Sequence, residues 1–64
     1  MHSRDVMRLL RRDGWQQIRV NGDHHIFRHP VKPGLVIVPH PVQDIPIGTL
    51  RSIERQSGLT LRQR

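Results

Sequence analysis

Apolar residues along this chain change period twice, and each change predicts a new kind of element. Val6, Leu9 and Leu10 recur at i, i+3 and i+4, the spacing of one stripe on an α-helix, while Arg4, Arg8, Arg11 and Arg12 fall mostly off it. Ser3 is the expected N-cap, Asp5 lies in the first turn where a carboxylate complements the helix dipole, and Gly14 ends the helix after two arginines. The period then shortens to two. From Trp15 to Val20, Ile18 and Val20 alternate with Gln17 and Arg19, which predicts a first strand. Asn21-Gly22 is a tight-turn signal leading to a second strand over His24 to His29, and Pro30, which cannot donate to a ladder, stops it. Val31-Lys32-Pro33-Gly34 reads as a type II turn before a third, wholly apolar strand over Leu35 to Val38. That strand is expected at the centre of a small sheet or under the helices. Pro39-His40-Pro41 then forms a stiff exit that presents His40. The helical period returns near Asp44 or Pro46, with Ile47, Leu50 and Ile53 as an apolar face and Gly58 as the stop. Residues 59–64 are expected to fray.

The order is therefore helix-strand-strand-strand-helix in one domain spanning residues 1–64. Hairpin links make the sheet antiparallel, and two amphipathic helices are enough to cover one face of it. The expected fold is α+β: a three-stranded antiparallel sheet with both helices on one face and the other face open. Double-stranded RNA-binding domains share this architecture and read A-form RNA by shape, phosphate and 2′-hydroxyl.

Charge narrows the partner. Lys and Arg number 11 against 5 Asp and Glu, and Lys32 is the only lysine. Arginine's planar fork matches phosphate, so a polyanion, nucleic acid first, is the expected partner. Trp15 and Phe27 are the only aromatics and read as core, which argues against a platform for stacking bases. A helix-turn-helix DNA reader is not expected, since three strands separate the helices. The absence of cysteine excludes disulfides and thiolate metal sites and suits a cytoplasmic setting. No apolar run approaches the roughly 20 residues needed to span a bilayer.

Three of the five histidines lie in His24 to His29. Most hairpin histidines are polar surface residues, yet a histidine held by a rigid strand beside arginines is also suited to cutting RNA. A base takes the proton of a 2′-hydroxyl, an acid protonates the departing 5′-oxygen, and fixed cations meet the charge growing on phosphorus. In a regular strand His24, Ile26 and Arg28 share one face and His25, Phe27 and His29 the other. Phe27 belongs to the core, which sends His24 and Arg28 to the open face. A bulge near the turn would exchange His24 for His25. His29 or His40 could supply a second acid or base, and Arg19, Arg28, Lys32 and Arg51 are candidates for RNA phosphates. His2 is expected to be disordered. A zinc held by His24, His29 and His40 is chemically conceivable, but the spacing matches no ligand motif and the basic surroundings disfavour a cation. No metal or cofactor is expected.

Gly14-Trp15, Gly22-Asp23-His24-His25-Ile26-Phe27, Val38-Pro39-His40-Pro41 and Gly48-Thr49-Leu50-Arg51-Ser52-Ile53 together resemble the HicA toxin family, in order and spacing over nearly the whole chain. The resemblance implies a toxin of a type II toxin–antitoxin pair, an endoribonuclease that cleaves mRNA, and a HicB-type antitoxin that covers its active site. It implies a catalytic role for His24, the first histidine after the family's Gly-Ser pair; Gly22, His25 and Arg28 are candidates for supporting it. Here Asp23 stands where serine is usual. The alternative is a non-catalytic RNA-binding module of the same fold.

Overall fold

A computed structural model describes residues 1–61 of the chain. The expected order is observed: α1 (Ser3–Arg12), β1 (Gln16–Asn21), β2 (His24–Arg28), β3 (Leu35–Pro39) and α2 (Ile47–Ser57). The strands form one antiparallel sheet in the order β1-β2-β3. Both helices cover one face of it, where Val6, Met7 and Leu10 of α1, Phe27, Val36 and Val38 of the sheet, and Leu50 and Ile53 of α2 make a continuous core. Each such side chain, fully buried, contributes on the order of 1.5–3 kcal/mol from lost apolar surface.

Several local expectations are corrected. His2, not Ser3, caps α1, its Nδ1 accepting the Arg4 N–H at 2.9 Å. Ser3 is drawn inside the helix and wholly buried. His2 is thereby ordered. Of the two places expected for the third strand the structure gives the second: β2 is the centre of the sheet, and β3 is an edge strand whose inner side chains meet both helices while Leu35 and Ile37 are exposed on the outer face. Ile47 is likewise exposed, so the inner stripe of α2 is Leu50, Ile53 and Ser57.

The β1 alternation also breaks. A bulge between Gln17 and Arg19 inserts an extra residue, so Gln17 faces Phe27 and Arg19 faces Ile26. Ile18 and Val20 are 51% and 50% exposed. The β1–β2 turn lies one residue later than expected: Asn21 pairs with His24, leaving Gly22 and Asp23 as a two-residue loop. Gly22 has φ +62° and Asp23 is not in the positive region, the pattern of a type II′ turn with glycine at its first central position.

The end of the chain packs further than expected. Leu61 is 3% exposed, joins the core, and donates its N–H to the Glu54 carboxylate at 2.8 Å. Fraying therefore does not begin at residue 59, and the part of that expectation covering 62–64 lies outside the described residues.

Candidate functional site

Strand β2 runs without a bulge, because the irregularity of the hairpin is on β1. Its side chains therefore alternate strictly. His24, Ile26 and Arg28 lie on the open face, across from Asn21, Arg19 and Gln16 on one side and Pro39, Ile37 and Leu35 on the other. His25 and Phe27 face the helices with Val36 and Val38.

His24 is well exposed, with the Asp23 carboxylate 3.5 Å from its Nδ1. Pairing places Arg19 opposite Ile26, two residues from His24, a diagonal relation that corresponds to roughly 7–8 Å between backbones. Arg28 is four residues along the strand from His24, about 13 Å at the rise of an extended chain. Arg19, on β1, therefore sits beside the midpoint of the two, and all three side chains are exposed around the buried Ile26. The arrangement offers one imidazole and two permanent cations on one face, with Arg19 on β1 set to the side of His24 and Arg28 on β2.

The other sequence-nominated residues go elsewhere. The Lys32 ammonium lies 2.6 Å from Asp13 Oδ2 and donates to the Ser57 carbonyl at 3.1 Å, so it ties the β2–β3 loop to the ends of both helices. That hydrogen bond and charge hold the Asp13 carboxyl below the usual carboxylate range. Arg51 is exposed on α2, on the helical side of the sheet and away from His24. His29 serves the fold: Nε2–H donates to the Asp13 carbonyl at 2.7 Å, and Nδ1 accepts the N–H groups of Val31 and Lys32, each at 3.0 Å. Its ring also meets Trp15 edge to face at 5.2 Å. With both nitrogens occupied, His29 is removed as a second acid or base. Gly14 makes room for it: at φ +103° it takes a conformation side chains resist, and an added Cβ would lie 2.8 Å from His29 Nε2.

His40 does not point outward from a stiff exit loop. Its ring turns toward α1, with Nδ1 2.7 Å from Ser3 Oγ, and meets the His25 ring edge to face at 4.9 Å. Burial, then the neighbouring His25, His2, Arg11 and Arg4, push the His40 pKa down. His25 itself donates Nδ1–H to Gln17 Oε1 at 3.2 Å, the oxygen that also accepts from Arg11 at 3.1 Å. These contacts join residues far apart in the chain, and no local signal in the sequence announces them. Among the described residues no three histidine, aspartate or glutamate side chains stand where they could share a metal ion, so the His24, His29 and His40 set does not assemble.

The model of a family described as the HicA toxin of bacterial toxin-antitoxin matches residues 3–59. No curated protein matches the chain. The matched span runs from the buried start of α1 to just past Gly58, and so includes the whole of the open face described above.

Proposed function

Since this chain belongs to the HicA toxin family of bacterial toxin-antitoxin systems, we propose that it is an mRNA endoribonuclease whose catalytic group is His24. The observation that carries this is the placement of an exposed imidazole on a rigid strand, next to a carboxylate and on the same open face as Arg19 and Arg28. His24 takes the proton of a 2′-hydroxyl through Nε2, and the 2′-oxygen attacks the adjacent phosphorus. The bond to the 5′-oxygen breaks, that oxygen takes a proton from solvent water and leaves as a free hydroxyl, and His24 afterwards returns its proton to solvent. The products are a 2′,3′-cyclic phosphate and a 5′-hydroxyl end. A guanidinium at Arg19 faces the charge that builds on the phosphoryl oxygens without having to give up a proton. No metal is required for these steps.

A HicB-type antitoxin is the proposed partner, acting in the cytoplasm where mRNA is found. The exposed Leu35 and Ile37 border Arg28 and Ile26 on the open face, an apolar margin to a basic strip. A protein docked there buries the apolar margin and blocks His24 in the same act.

The test is cleavage of RNA by the purified chain in EDTA, compared with His24→Ala. Intact RNA with the wild-type chain rejects the nuclease reading in favour of a non-catalytic RNA-binding module. Equal cleavage by His24→Ala rejects only the assignment of His24, and 5′-phosphate ends reject attack by the 2′-hydroxyl.

A further inference from the structure

A second group of imidazoles lies on the helical side of the sheet, where β2, the exit from β3 and the start of α1 meet. His25 and His40 touch edge to face at 4.9 Å, and His2 lies 6.4 Å from His40 in a similar orientation. Among them His40 is the residue with links in two directions. Its Nδ1 shares a 2.7 Å hydrogen bond with Ser3 Oγ, which also accepts the Val42 N–H at 2.9 Å. Its backbone N–H donates to the Asp23 carbonyl at 2.8 Å. Ser3 is wholly buried in the first turn of α1, so one end of this connection is fixed in the core. Asp23 is the second residue of the type II′ turn, so the other end is the loop from which His24 projects.

We propose that His40 is a positioning residue, whose imidazole, anchored on Ser3, holds its own backbone N–H on the Asp23 carbonyl and so fixes the turn that aims His24. The ring sits on the opposite side of the sheet from His24 and acts through the turn rather than on the scissile phosphate. What the position requires is a hydrogen-bonding atom where Nδ1 stands and a side chain that packs on His25. An asparagine meets the first requirement without titrating; an alanine meets neither. Displacing a reacting group by an ångström costs up to about 100-fold in rate, so a loosened turn is expected to appear in kcat.

Because this role rests on the ribonuclease reading of His24, the test has one arm that needs no catalysis. In the first arm, His40→Ala and Ser3→Ala are expected to lower kcat for an RNA oligonucleotide about ten-fold or more with KM little changed. His40→Asn is expected to restore kcat to within about three-fold of wild type with an unchanged pH profile. Loss in His40→Asn equal to that in His40→Ala, or a pH profile missing one limb, overturns positioning and makes His40 an acid or base. Wild-type kcat in His40→Ala also overturns it. In the second arm, the residue 40 amide is followed by hydrogen exchange in Ser3→Ala. Faster exchange there, with the Phe27 and Val36 amides unchanged, supports the anchor; an unchanged rate refutes it whether or not RNA is cut. Faster exchange in a chain that cuts no RNA removes the nuclease reading alone.

Discussion

Arg19 and His24 are diagonal neighbours on the open face of the sheet, brought there by the β1 bulge that pairs Arg19 with Ile26. Without the extra residue, a strand beginning from the same pairing of Gln17 with Phe27 would carry Ile18 opposite Ile26 instead. The bulge thus decides which face receives the arginine.

Arg19→Ala is accordingly expected to reduce kcat/KM for RNA by about ten-fold or more, equivalent to roughly 1.4 kcal/mol of transition-state stabilisation. Arg28→Ala, further from His24, should act mainly on KM. Steady-state kinetics at two salt concentrations separate the two, and equal effects of both variants on kcat would contradict the geometry.

Lys32→Met should leave cleavage per folded molecule unchanged while lowering Tm, since the ammonium is bound to Asp13 and the Ser57 carbonyl. A loss of RNA affinity at full stability would instead restore Lys32 to the nucleic-acid surface.

Three groups give stability a pH dependence with the same sign in two windows, Asp44, held low by the N-terminal ammonium, sharing the window of Asp13. Asp13 has a folded pKa below its unfolded value, so its contribution is present above the usual carboxylate range and is lost as pH falls through the lowered folded value. His40 is also lowered, which means the unfolded chain binds more protons; its contribution is complete above about 6.5 and is lost as pH falls from there through the folded value. Thermal melts should therefore fall in two stages on acidification. Asp13→Asn should reduce the lower stage only, leaving the part due to Asp44, and His40→Asn should flatten the upper stage only.

His29→Ala removes the acceptor of two backbone N–H groups and the donor to the Asp13 carbonyl, and is expected to destabilise by about 1–3 kcal/mol. For a domain of this size each kcal/mol corresponds to roughly 4–8 °C in Tm. Activity measured well below the new midpoint should be retained, and its loss there would return His29 to the list of acid or base candidates.

Leu61→Ala should cost about 2–5 kcal/mol, the usual range for emptying a buried leucine site. A frayed C-terminal segment would give no change in a denaturant titration.

Local chemistry was enough to read much of this protein. The helical stripe of Val6 and Leu10, the Asn21-Gly22 turn signal, the stop at Pro30 and the closing Gly58 all act within a few residues, so element order and the antiparallel hairpins follow from the chain itself. The division of β2 into a Phe27 side and a His24 side was legible for the same reason, since alternation in an extended strand needs no partner. Only tertiary structure decided the rest. The bulge that sends Arg19 to the open face depends on pairing with β2, and the capture of Lys32 by Asp13 joins residues 19 apart. The Ser3 to His40 bond spans 37 residues, and the burial of Leu61 requires both helices already in place. These are contacts between elements, whose energies depend on where the backbone has been carried by everything else, and no local pattern of residues encodes them.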